Sequence, residues 1–203
     1  MSASIHELSD FISELLMVER FRDACENGLQ VEGKGEVERI ALGVSVTQAL
    51  LDEAVGWQAD AVLTHHGLFW QRDKQSIRGL RRQRLKTLLA NDIHLLAYHL
   101  PLDAHPVLGN NAQLAQVISL TEVSPWLLVD GVPLGVIGSY PQPMSAAELE
   151  AQLALVFGAR VLLLGERSRV VQRVAICSGR AASSLEVAAR AGADLYLTGE
   201  ADV

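Results

Sequence analysis

Residues 37–64 read V-E-R-I-A-L-G-V-S-V-T-Q-A-L-L-D-E-A-V-G-W-Q-A-D-A-V-L-T, and most of the fold can be read outward from them. Ile40 to Val46 is a short apolar run ending in Ser and Thr, the pattern of a buried strand. Thr47 can cap a helix and Gly56 can stop it. Ala61-Val62-Leu63 is a second buried strand. The same order returns at a constant offset of 134: residues 171–198 align on 37–64 without a gap, with nine identities in 28 positions. Val37, Arg39, Ala41, Leu51, Ala54, Ala59, Asp60, Leu63 and Thr64 recur as Val171, Arg173, Ala175, Leu185, Ala188, Ala193, Asp194, Leu197 and Thr198. The shared A-D-x-x-L-T ending argues against chance likeness between apolar segments. Two strand–helix–strand copies predict an α/β protein of two similar halves related by internal duplication, each a mostly parallel sheet with helices. The first half is expected over residues 1–121 and the second over 122–203.

Around these copies the helix signals are local. Ser4-Ile5-His6-Glu7 has capping-box spacing, and Ile5, Leu8, Ile12, Leu15 and Leu16 follow at helical intervals, predicting a helix over 5–18. Arg81 to Ala90 reads as a helix and Ile93 to Tyr98 as a third strand. Ser145-Ala146-Ala147-Glu148 is a second capping box, opening a helix that should stop at Gly158. The first copy continues through a helix, a strand and the 99–103 loop, whereas the chain ends five residues after Thr198. The second half is therefore expected to lack its closing helix and strand.

Composition narrows the function. Hydrophobic residues make up 49% of the 203 and charged residues 20%, the balance of a globular protein with a real core. No apolar run is long enough for a membrane span, and no basic-then-apolar leader opens the chain. Two cysteines, Cys25 and Cys177, give neither a disulfide framework nor a cysteine zinc site and suit a reducing compartment, so a cytoplasmic location is expected. A net charge of −7, from 24 acidic against 17 basic residues, argues against a nucleic-acid partner. The basic run Arg78 to Lys86 reads as a solvated helix face.

Chemistry concentrates after the buried strands, where parallel sheets place their ligands. Thr64-His65-His66-Gly67 follows the second strand. Side chains alternate along an extended backbone, so adjacent histidines should point apart and suit two neighbouring metals better than chelation of one. Imidazole accepts zinc, iron, nickel or copper, and the bland alternative is a pair of satisfied loop histidines. His99-Leu100-Pro101-Leu102-Asp103 follows the third strand. Asp103 could supply an oxygen ligand, bridge two metals, orient a histidine, or simply cap the helix that begins near Asn110. Asn110 or Asn111 is the other candidate for that cap. His94, His105 and His6 read as structural or exposed. Asn27-Gly28 reads as a turn into a short extended segment, and Ser178-Gly179-Arg180 either binds an anion at a helix start or is a plain loop.

Taken together, N-G-L-Q-V at 27–31, A-D-A-V-L-T-H-H-G-L-F-W at 59–70, H-L-P-L-D-A at 99–104 and G-A-D-L-Y-L-T-G-E at 192–200 fall in the order of one family. The chain resembles the Nif-three-like dinuclear metal centre proteins, also labelled GTP cyclohydrolase I type 2 homologues. The resemblance implies a duplicated α/β fold, a homohexameric ring and two divalent metal ions per subunit, of zinc, iron or manganese. It assigns His65, His66 and Asp103 as metal ligands and sets His99 close to the site. The family's remaining ligands, a His and a Glu in an H-x-x-x-E motif, lie beyond the last residue given. The resemblance further implies hydrolysis of GTP or a related purine, with formate released from C8 and His99 as a proton shuttle. A metal-binding scaffold or regulatory protein without turnover is the alternative.

Overall fold

The structure, a computed structural model, describes residues 2–201. The chain divides into two compact units, Met1–Leu102 and Asp103–Val203. In the first, Ser4 caps helix α1 (Ile5–Leu15) with the reciprocal Ser4–Glu7 bonds of a capping box. The helix stops three residues short of the predicted end, where Met17 turns left-handed at φ 52° and a 3-10 turn, Val18–Arg20, takes over. Strands β1 (Gly28–Val31), β2 (Ile40–Ser45), β3 (Ala61–His66) and β4 (His94–Ala97) form one sheet in the order β1-β4-β3-β2. The β2–β3 and β3–β4 pairs are parallel, and β1 joins β4 antiparallel.

Alternation along β3 sorts its side chains between two faces. Ala61 and Leu63 pack with Ile5, Leu8, Ile12 and Tyr98 beneath α1. Val62 packs with Leu51, Ala54, Leu85 and Leu88, which come from α2 (Gln48–Gly56) and α3 (Gly79–Ala90) on the opposite face. Helices on both faces bury the central strands β3 and β4 on both sides, which explains their uninterrupted apolar runs. The short helix α4 (Leu100–Ala104) follows β4.

The second unit contains α5 (Asn110–Val117), β5 (Thr121–Val129), β6 (Val132–Ser145), α6 (Ala146–Phe157), β7 (Val170–Cys177), α7 (Leu185–Arg190) and β8 (Leu195–Thr198). Its strands run in the order β5-β6-β7-β8. Here the expectation of a mostly parallel sheet gives way in the described residues: β5–β6 and β6–β7 are antiparallel, and β7–β8 alone is parallel. A hairpin at Asp130-Gly131, both at positive φ (50° and 82°), folds β5 directly back onto β6 and makes that pair antiparallel. Leu149, Leu153, Val171, Val174 and Ile176 form the core on one face. Trp126, Ile137, Ala175, Cys177 and Ala188 form it on the other. The second predicted capping box is present at Ser145–Glu148, and Gly158 ends α6 at φ 59°.

The duplication extends to individual bonds. Ile40, Ala41, Leu42 and Gly43 pair in parallel with Ala61, Val62, Leu63 and Thr64. Adding 134 to every number gives the observed pairs of Val174, Ala175, Ile176 and Cys177 with Leu195, Tyr196, Leu197 and Thr198. Asp60 Oδ2 accepts from the Glu38 and Arg39 amides at 3.0 and 2.8 Å. Asp194 Oδ2 accepts from those of Gln172 and Arg173 at 3.1 and 2.9 Å. The identical A-D dipeptides are thus the same lock, tying the start of one strand to the residue before the next.

Candidate metal centre

Parallel neighbours end on the same side, so the carboxyl ends of β3 and β4 deliver His65, His66 and His99 to one place. The strand runs further than its apolar core suggests: the two histidines are its last residues, with His66 paired to Ser45. Their rings do not diverge as simple alternation predicts. The His65 and His66 centroids are 4.5 Å apart, and the His99 ring lies 4.9 and 5.6 Å from them. Each ring is held by a different neighbour. His65 Nδ1 bonds the Tyr98 carbonyl beyond β4 at 3.1 Å, and His66 Nδ1 bonds Ser45 Oγ on β2 at 2.9 Å. One nitrogen from each of the three lies within 4.8 Å of the others.

For His65 and His99, hydrogen-bond chemistry fixes which nitrogen carries the lone pair. A carbonyl only accepts, so His65 must carry its proton on Nδ1, leaving the lone pair on Nε2. His99 Nδ1 donates at 2.8 Å to Asp23 Oδ1, with the same result. Asp23 is buried, and its carboxylate also accepts from Cys25 N, Asn27 Nδ2 and Leu100 N at 3.0, 3.0 and 2.8 Å. Burial alone would raise its pKa. The bonds from His99, Asn27, Cys25 and Leu100 outweigh it and hold the carboxyl at about 2. Asn27 Oδ1 in turn accepts from His99 N at 2.7 Å. The Trp70 ring stands edge-on to His99 at 5.0 Å, held by its Nε1 bond to the Gly67 carbonyl. A Cβ at Gly67 would run into the Gln30 carboxamide and displace it, although its Oε1 accepts from Leu68 N at 2.7 Å.

Asp23, Asn27, Ser45 and Trp70 escape sequence reasoning as parts of this site. Asn27-Gly28 signals the turn but not its use, and an isolated Asp 76 residues before its histidine carries no pattern at all.

Asp103 lies in the second unit, buried. Its Oδ1 accepts from Asn110 Nδ2 at 2.7 Å and from Ser178 Oγ at 3.0 Å. Neither asparagine caps α5. Gly109 is the cap residue, while Asn111 donates to the Leu134 carbonyl at 2.6 Å and accepts from Ser178 N at 2.7 Å. Both asparagines lie inside the helix, past the extended residue that caps it, and their carboxamides bond to other segments instead. Ser178 is likewise committed to Asp103 and Asn111. The structural reading holds for the other histidines: His94 Nδ1 accepts from Gly33 N at 2.9 Å, His105 Nδ1 accepts from Leu108 N at 2.9 Å, and exposed His6 faces Glu32.

A divalent ion fits what the first unit presents. Three imidazoles are a ligand set used by zinc and its neighbours. Two nitrogens each about 2.1 Å from one ion lie at most about 4.2 Å apart, so the group is within a small closure of embracing an ion. All three Nδ1 atoms already have the hydrogen-bonding partners typical of ligating histidines.

Comparison with known proteins gives a consistent picture. A GTP cyclohydrolase 1 type 2 homolog of Escherichia coli (strain K12) is 48% identical over 195 residues, 96% of this chain and 77% of its own. Among solved structures, the structural-genomics protein ybgI, of unknown function, matches with a TM-score of 0.92 and 46% identity. That match covers 98% of this chain and 79% of the other. A protein from Thermus thermophilus matches with a TM-score of 0.84 and 32% identity, over 98% and 79% of the two chains. Residues 3–203 fit the family model of Duf34/NIF3 (NGG1p interacting factor 3), and the chain belongs to that family.

Proposed function

We propose that this protein binds a divalent metal ion through His65, His66 and His99 and uses it to hydrolyse a purine nucleotide. The observation that carries the metal reading is the convergence of three imidazoles within 4.8 Å, each with its Nδ1 engaged by a protein partner. When bound, such an ion acidifies water toward neutrality, the chemistry that a hydrolysis at C8 of guanine needs. The choice of GTP or a related purine rests on the relatives' name alone. The ligand role of Asp103, and a second metal in each subunit, rest on the family resemblance. A homohexamer is proposed on the same ground, with support from Leu42 and Val44, which stand 71% and 69% exposed on the edge strand β2. Two buried free cysteines suit a cytoplasmic home, and among the described residues no helix is long and apolar enough to cross a membrane.

The test is direct. Metal-stripped protein is titrated with zinc, cobalt or manganese, bound metal is counted by elemental analysis, and the loaded protein is assayed for formate release from GTP. Changing His65 and His66 together to Ala should abolish bound metal. Undiminished stoichiometry in that variant would remove the metal assignment, and metal binding without formate release would leave a non-catalytic scaffold.

A further inference from the structure

The geometry points to Asp23 as a positioning residue for metal binding, one whose carboxylate holds His99 in the tautomer that presents Nε2 to an ion. The inference rests on the reading of His99 as a ligand. The side chain of Asp23 is 2% exposed, and every group around it is a donor. Oδ1 takes the His99 Nδ1 and Cys25 N bonds at 2.8 and 3.0 Å, and Oδ2 takes Asn27 Nδ2 and Leu100 N at 3.0 and 2.8 Å. Four donors leave the carboxylate nothing to offer but lone pairs. His99 can face it only with Nδ1–H, because the other tautomer would set lone pair against lone pair at 2.8 Å. The same carboxylate fixes where the ring stands. Leu100 N binds Asp23, and His99 N binds Asn27 Oδ1, so the main chain on both sides of the imidazole is tied to the 23–27 turn.

His65 and His66 do not need this help. Their partners are the Tyr98 carbonyl and the Ser45 hydroxyl, and both rings sit on a strand already held in a sheet. His99 lies outside β4 and depends on Asp23 for both tautomer and position. Without it the cluster has two prepared ligands instead of three. A carboxylate hydrogen-bonded to a ligating imidazole also raises its basicity, which strengthens the bond it makes.

A structural strut would tie the two loops together equally well, so the test needs a readout that a strut does not move. Long-range 1H–15N correlation of the imidazoles in metal-free protein, at about pH 8 and so above the usual imidazole range, reports the tautomer of His99. Wild type should show the proton on Nδ1. Asp23→Asn sets an amide NH2 among donors or against the ring, and should shift His99 toward the Nε2–H form. Zinc affinity should fall by roughly 10- to 100-fold, the usual cost of losing such a partner. In a His99→Ala background the same substitution should cost no further affinity. A wild-type His99 protonated on Nε2 overturns the proposal by itself, whether or not Asp23→Asn folds. So does a folded Asp23→Asn whose His99 tautomer is unchanged, or an equal loss of zinc affinity with and without His99. If His99→Ala leaves zinc binding intact, the ligand reading fails and the metal role of Asp23 with it, while the tautomer measurement shows separately whether the carboxylate controls the ring.

Discussion

Ser45 meets His66 through one hydrogen bond of 2.9 Å, between residues that already face each other across the β2–β3 ladder. Ser45→Ala removes the hydroxyl without disturbing a backbone pair. Zinc affinity should drop by roughly 10-fold with the melting temperature nearly unchanged, as isothermal titration and calorimetry would show. A large loss of stability would mean that the hydroxyl serves the sheet rather than the imidazole. At this scale the sequence is uneven as a guide. His65 and His66 announce themselves, because a polar pair at the end of a buried strand has no role in a core. His99 is visible only as a neighbour, since its place in the cluster depends on which strands lie side by side. Asp23 is invisible, because its partners at 25, 27, 99 and 100 come together only in three dimensions.

Elements follow the same logic, in that those coded locally are readable and those coded by pairing are not. Both capping boxes are present as their spacing predicts, because four consecutive residues contain everything they need. Ser145 Oγ accepts from Glu148 N at 3.2 Å while the Glu148 carboxylate takes Ser145 N at 2.7 Å. Ser145→Ala should cost about 1 kcal/mol in urea unfolding, the usual loss for an N-cap. The β5–β6 hairpin was equally open to inspection, since Asp130-Gly131 between Leu127-Leu128-Val129 and Val132 is a strong turn signal. Reading the second half as a copy of the first hides that hairpin: β5 and β6 precede β7, outside the repeated segment. The helix of the second copy also differs in form. It starts as a 3-10 turn, Ala182–Ser184, and continues as α7, yet together they cover 182–190, the same span as α2 moved by 134.

For the molecule as a whole, the duplicated aspartate locks offer a measurement in two places. Burial works to raise the Asp60 pKa, but the Glu38 and Arg39 amides and the nearby charge of Arg39 win, and its folded value lies below normal. A carboxyl whose folded pKa is lowered stabilises the fold fully above its unfolded pKa, near 3.9, and that contribution is lost as the pH falls through this value toward the lower one. Wild type should therefore lose urea stability more steeply than Asp60→Asn between about pH 5 and pH 3. A parallel pair of curves would show that the lock does not depend on charge. At neutral pH, Asp60→Ala and Asp194→Ala should each cost about 1–2 kcal/mol. The two losses should add in the double variant, since the locks share no partner and belong to different units. The lock is also one-sided in what it asks of evolution. It needs an acid at 60 and 194, but from the partner residues it takes only the peptide N–H, which every residue except proline supplies. Glu38 and Gln172, of different charge at equivalent places, already show that freedom. A saturation library should find positions 38 and 172 permissive to everything but proline and positions 60 and 194 nearly closed, so that the ancestry of the two halves survives longest in the residues that accept hydrogen bonds and fades first in those that donate them.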